Sequence, residues 1–258
     1  MLGSMTCQAW FLAGTAVLIL GIAKAGFGSG FGLLAAPLLA MSLPAKQSVG
    51  VLLPILCAID LVALPHYWRN WDRRNVLFLF PGALIGVVLG TVLLNRLNDN
   101  WIGISIGLLA IAFVAQHYWK LWRAQHDTKK APITWTAGTG FGAAAGFTST
   151  IAHAAGPVAT MFLLPQGMDR RRFVGTTVIF FALLNATKVP PYIAMDIIRA
   201  DTLKISGFLL PFVPVGVFIG LWMNKSINEK WFVRVIYWVL LLAGGELVWK
   251  NAAALMQH

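Results

Sequence analysis

The sequence predicts an all-α integral membrane protein made of two inverted repeats. Each repeat is a broken-helix, re-entrant hairpin followed by three transmembrane helices. Three observations predict it: the apolar residues fall in blocks of span length, the chain repeats itself at a slowly growing offset, and Lys and Arg are unevenly divided between the loops.

Of 258 residues, 58% are hydrophobic and 11% charged, against roughly 25% charged in an average soluble domain. A soluble chain this apolar could not cover its surface with polar groups. A membrane-spanning helix needs about 17–25 apolar residues, and the stretches 48–67, 76–95, 101–122, 174–195, 203–223 and 231–250 meet that length. Two others, near 7–43 and 133–166, are too long for one span and too rich in glycine for one regular helix. The net charge of +11 sits in the loops, where a cytoplasmic excess of Lys and Arg is the ordinary cause. Nucleic acid is therefore not an expected partner. Cys7 and Cys57 read as small buried hydrophobes, with no disulfide or metal spacing. The apolar run 8–22 precedes Ala23-Lys24-Ala25, which mimics a cleavage site. No basic residue comes before it, and it is read as membrane sequence.

Gly26, Phe27, Ser29 and Pro37 recur 120 residues later as Gly146, Phe147, Ser149 and Pro157. Val49, Gly50 and Pro65 recur at an offset of 125, and Pro81, Gly86, Gly90 and Trp101 at 130. Ordered matches along a whole half-chain point to duplication. The expected division is 1–122 and 133–258, joined by a cytoplasmic linker at 123–132.

Charge decides how the halves are oriented. With each long segment taken as one crossing, the loop Lys and Arg divide ten to eight; with each taken as a hairpin, thirteen to five. The positive-inside rule selects the hairpin and hence inversion, with both termini outside. Length agrees: a helix over 8–22 would be about 22 Å long, short of a hydrocarbon core of about 30 Å. Glycine is also a poor helix former, which places the breaks at GFGSGFG and near Gly146–Ser149.

The segments GIAKAGFGSGFGLLAAPLLA (21–40) and GFTSTIAHAAGPVATMFLLP (146–165), the latter followed by Arg170-Arg171-Arg172, resemble those of the TauE/SafE family of sulfite and organosulfonate permeases. The resemblance covers essentially the whole chain. It implies transport of an anionic sulfur compound across the cytoplasmic (inner) membrane, with export and proton coupling among its options. No cofactor, metal or catalytic residue is expected. The sequence does not set the oligomeric state, a homodimer being one option.

Broken helices at a repeat interface commonly form transporter sites. If the second half-helices begin near Ser29 and Ser149, their N-termini would offer N–H groups to an anion. Ser29, Thr148, Ser149 and Thr150 would add hydroxyls, and Gly26, Gly28, Gly30 and Gly146 would let a ligand approach. Small residues also serve close helix packing, and that reading stays open. Lys24, Asp60, His153, Asn185, Lys188 and Glu246 fall inside apolar segments, where charge is costly. Asn185 is the repeat equivalent of Asp60, and Lys188 follows it by one helical turn. Lys24 and Lys188 are candidate anion ligands, with Lys188 equally able to pair with Asp60. His153 and Asp60 are coupling candidates, since histidine titrates near neutral pH. Glu246 is read as a helix-end partner of Lys250. Pro81, Pro211 and Pro214 are read as helix kinks, and the tryptophans near span ends as an interfacial belt. Two other functions share these residues: an uncoupled anion channel, and a membrane-embedded enzyme using a Ser149–His153 pair.

Overall fold

The computed structural model describes residues 6–22, 32–123, 134–226 and 229–256. These form helices α1 (Cys7–Ile22), α2 (Ala35–Ser42), α3 (Ala45–Tyr67), α4 (Arg73–Arg96), α5 (Asp99–Arg123), α6 (Trp135–Ala152), α7 (Ala155–Leu163), α8 (Arg170–Ala194), α9 (Ala200–Leu209), α10 (Phe212–Ser226) and α11 (Glu229–Met256). Among the described residues there is no strand. Six segments are long and apolar enough to cross a membrane: α3, α4, most of α5, α8, α9 with α10, and most of α11. They correspond to the six blocks read from the sequence. Large apolar side chains such as Leu61, Val88 and Leu242 are exposed, as suits a surface against hydrocarbon rather than water. Trp68, Trp101, Trp119, Trp122, Trp222 and Trp249 are exposed as well.

Polar caps start the helices that follow charged loops. The Asp72 carboxylate accepts from the Asn75 N–H at 3.0 Å to open α4. Asp169 accepts from the Arg172 N–H at 3.0 Å to open α8, and Thr134 accepts from the Ala137 N–H at 3.2 Å to open α6. Each satisfies a donor that the helix itself cannot. Pro211 falls in the break between α9 and α10, because proline removes a helical donor and clashes with the preceding turn. Pro81 lies within the unbroken α4, and Pro214 in the first turn of α10. Cys57 is half-buried, but Cys7 is exposed at the very start of α1, where packing begins only with Trp10, whose ring meets Phe208 edge-on.

The helix pairs have definite directions. A Cβ on Gly138 would meet Phe78, one on Gly142 would meet Leu79, one on Gly86 would meet Ala143 and one on Gly90 would meet Thr150. Partner numbers rise together, so α4 and α6 run parallel. Their glycines, at 82, 86 and 90 and at 138, 142 and 146, recur every fourth residue and bring backbone against backbone. In α1 and α10, Gly14 meets Phe212 and Gly21 meets Gly216, again in parallel. The opposite holds for α3 and α8, where Gly50 lies on Ile197, Asp60 on Asn185 and Gly175 on Asn70. It holds also for α5 and α11, where Gly103 meets Asn251, Gly107 meets Gly244 and His117 stacks on Tyr237.

After α6 the chain doubles back. The rings of Phe141 on α6 and Phe162 on α7 lie 5.9 Å apart, whereas in one straight helix residues so spaced would stand about 30 Å apart. The reversal occurs at His153, whose φ of 51° is left-handed and whose N–H bonds the Ser149 carbonyl. The break therefore comes four residues beyond the expected position at Ser149. Gly146 does not interrupt α6, because it packs against the backbone of Ala83, and that contact outweighs a propensity cost of at most about 1 kcal/mol. The hydroxyls of Thr148 and Thr150 donate back to Ala144 and Gly146, both at 2.9 Å, so they too are accommodated within the helix. The break expected in the first half, at GFGSGFG (26–32), falls almost wholly outside the described residues, as does most of the 123–132 linker.

Gly142→Ala would set a methyl against the Leu79 carbonyl, while Gly140 faces open space. Gly142→Ala is expected to destabilise the protein by about 1–3 kcal/mol and Gly140→Ala not at all, as measured by thermal unfolding of the detergent-solubilised protein. Equal effects would show that the α4–α6 contact is not as close as described.

Candidate functional site

The site forms where α6 ends, because a helix that stops leaves carbonyls without partners. Three of them find specific donors. The Thr148 carbonyl accepts from the Ala154 N–H at 3.3 Å. The Ser149 carbonyl accepts from the His153 N–H at 3.0 Å and from Lys188 Nζ at 3.3 Å. The Thr150 carbonyl accepts from the Tyr192 hydroxyl. Lys188 and Tyr192 both come from α8, where Asn185, Lys188 and Tyr192 recur at helical spacing and are all buried. A cation is favoured at a helix C-terminus because the macrodipole is negative there.

Lys188 has no exposed surface. Its Nζ donates to Ser149 Oγ at 2.9 Å and approaches His153 Nδ1 at 3.0 Å. On its other edge His153 Nε2 meets the Val49 carbonyl of α3 at 2.9 Å. A carbonyl only accepts, so Nε2 carries the hydrogen. Nδ1 then accepts from the lysine, and with an ammonium at that position the imidazole is neutral. The ring of Tyr192 stands edge-on to His153, with centroids 6.5 Å apart. One turn earlier on α8, Asn185 Nδ2 donates to Asp60 Oδ2 at 2.6 Å, joining the two positions related by the offset of 125.

The expected dipole at Ser149 is reversed. Ser149 lies in the last turn of α6, at the negative end, and not at the start of the next half-helix. The positive end belongs to α7, whose N-cap Ala154 offers no side-chain acceptor. The first N–H groups of α7, on the buried Ala155 and Gly156, are those that a helix leaves without internal partners.

The structure brings Ser149, His153 and Lys188 into one bonded cluster, with Thr148 and Thr150 beside it and Asp60–Asn185 further along α3 and α8. It turns Gly146 toward α4, and the hydroxyls of Thr148 and Thr150 toward backbone carbonyls. Lys24, Gly26, Gly28, Ser29 and Gly30 lie outside the described residues. Lys188 stands between Ser149 Oγ and the His153 ring, so no Ser–His bond of the nucleophile–base kind forms. Glu246 is exposed on α11. Among the described residues, no three His, Cys, Asp or Glu side chains gather as metal ligands. Tyr192 and Val49 were not foreseen, and the N–H groups expected at the start of the second half-helix lie at Ala155 and Gly156 instead of near Ser149. Tyr192 follows Lys188 by four residues on the same helix face, which is a readable signal; a backbone carbonyl 104 residues away in the chain from His153 leaves none.

Residues 13–247 match the sulfite exporter TauE/SafE family. The chain belongs to that family. No curated protein and no solved structure gives a significant match. As a member of a family of membrane transporters with six span-length apolar helices, it is a multi-pass membrane protein.

The hydrogen bonding assigns His153 the neutral form with hydrogen on Nε2. In ¹⁵N NMR of histidine-labelled protein without substrate, His153 is expected to show one protonated and one bare ring nitrogen. Two protonated nitrogens would mean that the Lys188–Nδ1 contact is misassigned.

Proposed function

We propose that the chain is a secondary transporter that exports a small sulfur-containing anion across the cytoplasmic membrane by alternating access, with protons as the coupling ion. Sulfite, thiosulfate and sulfonates such as sulfoacetate are the substrates in view. The observation that carries the proposal is Lys188, fully buried and held by the neutral groups of Ser149 and His153, next to the uncapped start of α7. A lysine ammonium and the N–H groups at a helix N-terminus together suit an anion. The family's character as sulfite exporters supports the substrate class.

In this reading the chain is two inverted repeats, 1–122 and 133–258, joined by a cytoplasmic linker at 123–132. The antiparallel runs of α3 with α8 and of α5 with α11, each a pair of offset-related helices, support inversion. The 2.9 Å ion pair of Arg172 with Asp72 supports it too, since it puts the 69–74 and 170–172 basic clusters on one face, the cytoplasmic one by charge. Both hairpin tips then meet near the middle of the membrane. There Lys24, Gly26, Gly28, Ser29 and Gly30 of the first half would join Gly146, Thr148, Ser149, Thr150, Asn185 and Lys188 around the anion. His153 and Asp60 serve coupling.

The test is flux in proteoliposomes across sulfite, thiosulfate, sulfoacetate and simple carboxylates, with and without a pH gradient. At least one sulfur anion should move well above the rate in empty liposomes, and Ser149→Leu should cut that rate at least about 10-fold while the protein stays monodisperse. No movement of any panel anion overturns the proposal. A C-terminal tag is expected to be reached by an impermeant reagent from outside the cell; protection of the tag would overturn the inverted arrangement.

A further inference from the structure

The outer face of α11 carries a charged group at a depth where lipid offers it nothing. Glu246 is exposed there, in line with the exposed Trp238, Leu242 and Trp249, at the three-to-four-residue spacing of one helix face. It stands close to the middle of its span, about 18 Å along the helix from Arg234 and about 15 Å from Met256. A glutamate side chain is too short to reach either surface of a hydrocarbon core about 30 Å thick. Ionisable groups at such depth are costly, and they ordinarily face protein or a water-filled cavity.

Lys250 follows one turn later and is also exposed. The pair expected between the two at i and i+4 is not among the ion pairs of the described residues. Made within one helix, such a pair would still turn its open side to lipid. Two other ionisable side chains are described on α11: Arg234, at the start of the span, and Tyr237, turned inward onto His117.

The opposite face of α11 is already in use. Ile236, Leu240, Ala243 and Leu247 are buried, and Gly244 packs on Gly107 of α5. Even so, 22% of the residues along this span are buried, against 33–50% in the other five. Beside Glu246, a Cβ on Gly245 would meet nothing. Another helix can therefore come close at that point, as small residues allow in membranes.

Charge identifies the visitor. Copies of one chain inserted in one membrane share a direction, so two α11 helices related by a two-fold axis along the membrane normal run parallel. In parallel helices a residue faces its own counterpart and the residues one turn away from it. An acidic group followed one turn later by a basic group then complements its own copy. Lipid brings no positive group to that depth, and a different protein would have to supply one. We propose that the outer face of α11 is the interface of a homodimer, in which Glu246 of each copy pairs with Lys250 of the other beside Leu242 and Gly245. The pairs are then enclosed between two helices and no longer face hydrocarbon.

The experiment uses the full-length protein with one fluorophore at its C-terminus, reconstituted at high lipid dilution, with subunits counted by photobleaching. Wild type should bleach in two steps. Glu246→Lys and Lys250→Glu should each lower the dimer association constant at least about 10-fold, since like charges then meet at the interface. Mixed in one membrane and labelled in two colours, these two variants should form heterodimers, one copy supplying two ammoniums and the other two carboxylates. A pair confined to one helix could not be mended by mixing.

A second readout leaves the charges alone and decides the matter if a charge variant misfolds. With Cys7→Ser and Cys57→Ser removing the native thiols, Leu242→Cys should form a disulfide-linked dimer on oxidation in the membrane, because its Cα would lie within about 7 Å of its counterpart. Val88→Cys, exposed on α4, should not. Wild type that bleaches in one step would mean that lipid or a different protein covers α11, and it would overturn the interface. Charge variants that dimerise like wild type, folded variants that form no heterodimer, or cross-linking no stronger at 242 than at 88 would do the same. Each of these failures would leave the transporter reading standing, because flux is measured separately.

Discussion

A backbone that stops being helical inside apolar surroundings must find other partners for the polar groups it frees, since hydrocarbon supplies none. The rest of this structure is arranged around that constraint at the end of α6. Lys188 and Tyr192 of α8 reach the Ser149 and Thr150 carbonyls, and the left-handed turn at His153 lets the next N–H groups bond Ser149 and Thr148. These bonds tie the hairpin to α8, and the His153–Val49 bond ties it to α3. Groups that could hold an anion are thus the same groups that make the break tolerable. A ligand there would compete with the protein's own hydrogen bonds, not fill an idle space.

The hairpin can be supported from one side only because α4 approaches it so closely on the other. Glycines on both helices put carbonyls of α4 next to α6 and the reverse, which packs the hairpin without long side chains. Gly146, read as a position for ligand access, is used for that packing. Close approach of backbone is what glycine supplies in either case, so sequence could not tell whether a ligand or a neighbouring helix would be the visitor.

The six spans and the meeting of Asp60 with Asn185 were legible, because hydropathy and the offset of 125 are properties of the sequence itself. The position of the break was not. Local propensity makes Gly146–Ser149 a poor helix, whereas packing on Ala83 and back-bonding by Thr148 and Thr150 keep it helical, and both effects depend on the fold. The four-residue shift reverses the sign of the dipole at Ser149, so a small error in position became a large one in electrostatics. Lys188 was singled out for being buried and charged, but Ser149 and His153 as its partners came only with the three-dimensional arrangement.

The crossing of α3 and α8 is fastened differently at its two ends. At one, Gly175 lies on the Asn70 carbonyl, Arg172 pairs with Asp72 at 2.9 Å, and Thr176 Oγ1 accepts from the Asp72 N–H at 2.9 Å. At the other, Gly50 lies against Ile197 and Ser206 donates to the Val51 carbonyl at 2.8 Å. Val174-Gly175 lies at the first end and Val49-Gly50 at the second; among the described residues the first end carries the ion pair, and exposed ion pairs weaken as salt rises. Ionic strength would therefore act on one end of the crossing and spare the other. In the transporter reading proposed above, that asymmetry makes a biased valve, with its two resting positions unequal in energy and the imbalance set by the solution on one side.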